Sequence, residues 1–470
     1  MSKRILSMIL LCSLVLLAVS RGRYVPGAEE TSMEEIYTDI ITVWYTDEET
    51  EGYLKEAAIA YQEQTGIKVA LHQAPGLEYL EGIHEATLHG DNGPDAYIVN
   101  SDSLEKARLS GLASDVEDPD GVLNTEHFPQ VALNAVTYNG NLLGYPFTYE
   151  TAALFYNENY LTEMAEKAII AERGGAQDDG AGEEIEISEA DLEAKKAEIL
   201  PTSMIEILEF ANSYEPAEGM DSFLLWDVAD IMYNYGFAGA YTNVGGEYGD
   251  DRENINIYNQ DAMYCLSVYQ DFNQFFSIDT EEVDYKGIVE DFANGKIMFT
   301  IAGTDLLNTL EAGKADGTYG GEYGITSIEM LNATLQYKPL SVTTAVVINE
   351  YSEKQEAAED FAQFVTCEYI NNLYARSGKM CAYYLEEYPV GAMRDMMRCY
   401  ENSVSLPKIV ENSNYWILAE LCYTNIWAGA DVNVELVALS QQVKKEISGE
   451  EVEENKIPTP EVKESYIAEE

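Results

Sequence analysis

Apolar and polar positions follow two rhythms along this chain. Ile40-Ile41-Thr42-Val43-Trp44-Tyr45 is a β-branched and aromatic run, which predicts a strand. After a polar turn from Thr46 to Gly52, Leu54, Ala57, Ala58 and Tyr61 recur at helical spacing. Thr65-Gly66 stops that helix, and Ile67 to Leu71 reads as a second strand. Strand, helix and strand in about 30 residues make a βαβ unit, with parallel strands and a right-handed crossover. A helical stretch, Leu77 to Leu88, then leads through a Gly/Asp-rich turn into a short buried strand, Ala96 to Val99. Ser101 and Ser103 stand where they can cap the helix that follows. The strand tips are polar, and open α/β sheets bind ligands at the C-terminal ends of their strands. The alternation returns later, with helices over Asp261–Phe276, Ile288–Asn294 and Lys354–Phe364 and strands over Lys296–Ile301 and Val342–Ile348.

Four stretches break this pattern. Lys3-Arg4 followed by apolar residues from Ile5 to Val19 reads as a secretory signal over 1–20, shorter than the roughly 20 residues that comfortably span a bilayer. Cys12 invites a lipid anchor, but Leu11 is bulky where a lipoprotein signal has a small residue, so the mode of tethering stays open. Residues 21–38 read as a polar linker. Residues 163–199 hold 12 acids against four bases, and Ser188 is placed to cap a helix ending near Ile199. This is read as an acidic surface insertion. The tail, 449–470, has eight acids, two lysines and two prolines, and reads as mobile.

Charge narrows the function classes. With 27 Lys+Arg and 84 Asp+Glu the net charge is −57. That excludes nucleic acid as a partner, since phosphate contacts need clustered bases. It equally excludes docking on anionic lipid through a basic face. The insertion carries −8 and the tail −6, which leaves −57 + 8 + 6 = −43 on the rest, so the acidity marks no single site. Six cysteines include no C-x-x-C pair, and four histidines include no H-E-x-x-H, so neither a disulfide framework, a metal site nor a cofactor is expected.

Several segments, taken in order, carry a resemblance. They are Ile41-Thr42-Val43-Trp44, Gln64 to Val69, Gly93-Pro94-Asp95, Gly111-Leu112-Ala113, Tyr138-Asn139-Gly140 through Gly144-Tyr145-Pro146, Glu150, Tyr156-Asn157, Phe292 to Lys296, and Ala357 to Phe364. Over roughly 39–448 the chain resembles the extracellular solute-binding proteins of ABC importers, in the maltose/maltodextrin-binding class. The resemblance implies an α/β, two-lobed periplasmic-binding-protein-like fold (type II). Its parallel-rich sheets are linked by crossing hinge strands around an interlobe cleft. Thr148–Thr151 would be one crossing, Leu340–Ala345 a second, and a third would fall near 385–405. Lobe one would be 39–148 plus 343–395, and lobe two 149–340 plus 396–448, with the insertion on lobe two. The implied protein is an exported monomer at the outer face of the cytoplasmic membrane, delivering a carbohydrate to ABC permease subunits, and not an enzyme.

A sugar offers hydroxyls that donate and accept, and apolar C–H faces that stack on rings. The resemblance places its contacts at Asp47 and Glu48 after the first strand, at Asp102, and at Glu150 in the crossing strand. Further contacts fall at Trp226-Asp227 near Asp230, and at Trp416 beside Tyr415. Asp47 and Asp102 read equally as helix caps, and Trp226 equally as core. The pattern departs from the family at three points. Val99 stands where the family stacks an aromatic, Ser103 where it has a base, and Asp305 where it stacks a tryptophan. These departures open an alternative ligand, a polyamine or other cationic solute held by Asp47, Asp102, Glu150, Asp227 and Asp305. A glycoside-acting enzyme is a weaker alternative, since carboxylates are too numerous for one pair to be diagnostic.

Overall fold

The computed structural model describes residues 40–89, 93–173, 186–280, 282–409 and 412–460. The signal segment, the linker, Cys12 and the last ten residues of the tail lie outside them.

Strand β1 (Ile40–Tyr45) buries Ile41, Val43 and Tyr45 and turns the alternate residues outward. Helix α1 (Glu51–Thr65) packs Tyr53, Leu54, Ala57, Ala58 and Tyr61 inward and ends at Gly66, whose φ of 82° an L side chain rarely adopts. Strand β2 (Lys68–Gln73), helix α2 (Tyr79–His89) and strand β3 (Ala96–Asn100) complete the predicted βαβαβ run. Neither Ser101 nor Ser103 makes a side-chain cap. Ser101 is buried with its hydroxyl unpartnered, and Ser103 reaches Asp102 instead.

After helix α3 (Gln130–Val136) the chain runs along strand β4 (Tyr145–Thr151), passes through Ala152, and continues as β5 (Ala153–Asn157) in a different sheet. That second sheet has four strands, in the order β8 (Tyr323–Thr326), β5, β7 (Ile297–Ala302) and β6 (Ser222–Leu224). Strand β9 (Leu340–Ile348) returns to the first sheet, whose path is β10 (Met380–Cys381), β4, β9, β3, β1, β2, with β11 (Val404–Ser405) beside β9.

The sheets are mixed, not parallel-rich. β1 and β3 are parallel, as are β6 and β7, but β9 is antiparallel to β3 and β4, and β5 to β7 and β8. The reason is the crossings: a strand arriving from the other sheet enters from the opposite end, without a crossover helix to reverse it. The crossing strands are pinned where they leave the first sheet. Thr151 Oγ1 donates to the Leu340 carbonyl at 2.8 Å, and Tyr149 stacks flat on Tyr400 at 4.0 Å. The third passage between sheets is mostly helical, α8 (Gly391–Glu401), with only the two-residue β11 pairing on β9.

One apolar core fills the second sheet's side, centred on Trp226, Phe237, Tyr269 of helix α6 (Gln260–Phe276), Met298 and Trp427. Another runs from β1 and α1 through Tyr149 and Tyr400 to Phe155 and Phe292, joining the two sheets at their crossings. A third lies on the far face of the first sheet, around Tyr97, Val99 and Val347.

The described part of the acidic insertion, 163–173 and 186–199, is more ordered than its composition suggests; residues 174–185 lie outside the described residues. Helices α4 (Glu158–Glu172) and α5 (Glu189–Ile199) pack side by side, with Ser188 capping α5 through the Asp191 amide at 3.1 Å. Its bases pair with acids of these two helices: Arg173 binds Asp191 at 2.8 Å, Lys195 binds Glu172 and Glu198 at 2.8 Å each, and Lys196 binds Glu158 and Glu193. The described part of the tail is tied down as well. Helices α9 (Asn412–Trp427) and α10 (Val432–Ser448) precede it; Glu454 accepts from Lys444 and Ser440 at 2.6 Å each, and Asn433 holds the Ile457 carbonyl at 2.9 Å.

Candidate ligand-binding site

The polar ends of β1 and β3 open onto a cavity of about 370 Å³, lined by Thr46, Asp47, Asn100, Ser103, Thr148 and Thr344 among others. Asp47 reaches it from a short turn in which its carboxylate accepts the Glu49 amide at 2.9 Å. It is therefore both cap and cavity wall. Glu48, its neighbour, is exposed and lies outside the lining.

The organising residue at this end is Lys379, which follows the left-handed Gly378. Its ammonium sits 2.7 Å from Glu49, 3.3 Å from Asp47 and 3.7 Å from Glu150. Burial works against that ammonium, yet Glu49, Glu150 and Asp47 together hold it above the ordinary lysine range. Glu150 projects from the crossing strand β4 and takes a hydrogen bond from the Thr304 hydroxyl. Burial, partly offset by Thr304 and Lys379, keeps its carboxyl above the usual range.

Thr304 opens helix α7 (Thr304–Asp316), so Asp305 comes next, exposed at the helix start. Its carboxylate accepts from the Tyr285 hydroxyl at 2.7 Å, and that hydroxyl accepts the Gly303 amide at 3.1 Å. Tyr285 stacks on Tyr233, with ring centroids 4.7 Å apart and planes 8° from parallel. Beyond Tyr233 lie Asp227 and Asp230, each fixed by a backbone amide, from Ala229 at 2.9 Å and Met232 at 2.8 Å. Glu420 on α9 joins them, accepting the Ile231 amide at 3.4 Å. Burial and the charge on Asp227 push Asp230 up; burial, then Asp230 and Asp227, does the same for Glu420. One turn before Glu420, Trp416 is partly buried against the edge of Tyr235 at 5.7 Å, and its buried indole N–H has no partner. The result is an unbroken stripe of carboxylates and tyrosines from the first sheet, across β4, to the second.

Besides Glu48, two expected residues fall elsewhere. Trp226 is fully buried, packed edge-on against Trp427 at 5.2 Å, with its indole N–H on Asn234 at 2.8 Å. It has no face for a ligand; a large apolar ring next to an available core position goes inside. Asp102 does not line the cavity. It is partly buried near Lys408, where desolvation, offset by Ser103, raises its carboxyl. Sequence reading missed Lys379, Tyr285 and Glu420. For Lys379 the signal was its rarity, one of 27 bases facing 84 acids. For the other two, contact arises only from the tertiary fold.

The family model for bacterial extracellular solute-binding proteins matches residues 56–376. The chain belongs to that family. A curated relative, the maltooligosaccharide ABC transporter solute-binding lipoprotein of Streptococcus pneumoniae strain R6, is 24% identical over 426 residues, covering 88% of this solute-binding protein and 89% of the relative. The maltodextrin-binding protein MdxE of Bacillus subtilis is 21% identical over 388 residues, covering 78% and 80%. Among solved structures, an extracellular solute-binding protein from Staphylococcus aureus in complex with maltose aligns with a TM-score of 0.70 at 18% identity, covering 87% of this chain and 98% of that one. A cyclo/maltodextrin-binding protein complexed with maltotetraose aligns with a TM-score of 0.67, also at 18% identity. The two-lobed fold of this solute-binding protein is thereby established. Among its described residues, no helix is long and apolar enough to cross a membrane.

Proposed function

We propose that this solute-binding protein captures a carbohydrate between its lobes and delivers it to the permease of an ABC importer, making and breaking no covalent bond. The observation that carries this reading is the run of carboxylates and tyrosines from Asp47 through Glu150, Asp305, Tyr285 and Tyr233 to Glu420, with Trp416 one turn away on the same helix. Carboxylates accept from sugar hydroxyls, and the flat tyrosine and tryptophan faces suit C–H surfaces. The names of the relatives, maltooligosaccharide and maltodextrin binders, point to glucose oligomers as the first sugars to try. In this reading lobe one is 39–148 plus 343–395 and lobe two 149–340 plus 396–448. The protein is exported as a monomer to the outer face of the cytoplasmic membrane. Binding sites are Asp47, Glu150, Asp227, Asp305 and Trp416, joined by Lys379, Tyr285 and Tyr233.

A second reading has one specific support. Asp227, Asp230 and Glu420 repel one another at the lobe-two end of the stripe, a setting that favours a cationic or amino-bearing solute. A thermal-shift panel of maltooligosaccharides, other neutral oligosaccharides and polyamines separates the two. A ligand at 100 times its Kd adds about 2.7 kcal/mol of stability. A shift with neutral sugars that survives 0.5 M salt (roughly 4 Å Debye length) supports the carbohydrate reading. A salt-sensitive shift with polyamines alone replaces it.

A further inference from the structure

Away from the stripe, the lobes are joined by a second, charged junction. A hairpin of lobe two, Asn243–Val244 paired with Ile255–Asn256, carries a glycine-rich loop between its strands. Three side chains meet lobe one from this side. Asp250 accepts the Asn139 amide at 2.6 Å. Arg252 reaches the carboxylate of Glu105 at 3.2 Å, and Glu105, only 2% exposed, also accepts from Tyr138 at 3.3 Å. The third is Lys408, which is completely buried. Its ammonium donates to the Asn134 carbonyl of α3 at 2.9 Å and to the Tyr248 carbonyl of the loop, while its own amide donates to the Gly249 carbonyl at 2.6 Å.

These contacts straddle two cores. Val244 and Ile257 of the hairpin, with Leu406 and Ile409 flanking Lys408, pack in the core of the second sheet. Leu104, Val136 and Tyr138 pack on the first sheet. Gly249 is required for the approach: its φ is +69°, and a Cβ there would lie 2.7 Å from the Pro407 Cα. A fully buried ammonium is costly. Burial lowers that of Lys408 to about 7 against the pull of Asp250 and Asp102. A methionine would fill the same space without that cost. A lysine kept here, donating to carbonyls of both lobes, has a positional role that packing alone does not supply.

We propose that the Gly245–Asn254 loop is a clasp, in which Lys408, Arg252 and Asp250 act together to hold the two lobes at the separation seen here. The clasp uses none of the residues assigned to the ligand, so it stands or falls apart from the carbohydrate reading, and it is tested without ligand. The reporter is the Asn139 amide, which neither Arg252 nor Lys408 touches in any described contact. Hydrogen exchange is compared in the unliganded protein and in Arg252→Gln and Lys408→Met, with the Gly66 amide as a control within lobe one. If the clasp is one unit, either substitution speeds exchange at Asn139 about tenfold and leaves Gly66 unchanged. Solution scattering then gives a larger radius of gyration for both variants. Arg252 is 38% exposed and Tyr138 still donates to Glu105 in its absence, so Arg252→Gln carries the test should Lys408→Met fail to fold. Unchanged exchange at Asn139 in Arg252→Gln, or scattering that superimposes on the parent, overturns the proposal.

Discussion

The two ends of the ligand stripe solve the same electrostatic problem in opposite ways. At the lobe-one end, Asp47, Glu49 and Glu150 surround a shared cation, Lys379, which is only 21% exposed. At the lobe-two end, Asp227, Asp230 and Glu420 are placed by backbone amides, and charge repulsion is relieved by raised proton affinity. The first end carries its own counter-ion, one ammonium shared by three carboxylates, before a ligand arrives. The second keeps unspent acceptor capacity beside aromatic faces. Substrate choice is therefore expected to reside at the second end, and stability at the first.

The largest effect separates core from site within lobe two. Trp226→Ala removes a fully buried ring and its bond to Asn234, and is expected to cost about 3–5 kcal/mol of unfolding free energy in denaturant melts. Trp416→Ala, at the partly buried edge of the stripe, costs about 1 kcal/mol but weakens ligand binding at least about tenfold by calorimetry. Equal loss of stability in the two variants would erase the distinction between them.

Next comes the cation itself. Lys379→Met leaves three carboxylates facing one another in a half-buried site, with an expected loss of about 2 kcal/mol in stability. Adding Glu49→Gln to that variant should recover part of the loss, because it removes one of the repelling charges. Urea melts of the two variants read this directly; a double variant no more stable than the single one would mean that Lys379 matters for packing and not for charge.

How much of this was readable in advance follows from the range of the forces involved. The βαβ run, its helix stop at Gly66 and the strand at Leu340–Ile348 are set by local periodicity and turn chemistry, and both appear in the sequence within a few residues of their structural bounds. The same holds for Ser188, whose cap needs only the amide three residues on. Strand direction was misread because it depends on where a chain re-enters a sheet after crossing, which no local pattern encodes. Trp226 was ambiguous for the same reason: the choice between core and cleft is made by Trp427, some two hundred residues away. Lys379 touches Glu150, and Tyr285 touches Asp305, only once the chain has folded, so their roles were invisible at the level of motifs. The order expected to be lacking in the acidic tail was supplied by Lys444 and Asn433, again through contacts that composition does not reveal.

The smallest effect probes the acidic end through pH. Asp230 and Glu420 both have folded-state proton affinities raised above the unfolded chain's, chiefly by burial. Groups of that sign contribute stability that is fully present below the unfolded carboxyl values and is lost as pH rises through the folded ones. Both side chains keep contact with solvent, so screening limits the total to about 0.5 kcal/mol. The double variant Asp230→Asn/Glu420→Gln, neutral at every pH, should accordingly be as stable as the parent near pH 3.5 and more stable than it at pH 7. The same variant sorts the two ligand classes. A neutral oligosaccharide retains its hydrogen-bonding partners and loses affinity by only a few-fold, whereas a cationic solute loses the attraction that placed it there and its binding falls by an order of magnitude or more. Parallel melting curves for parent and variant from pH 3.5 to 7 would show that these carboxyls are not coupled to folding, and the contrast between the two ends would then rest on Lys379 alone.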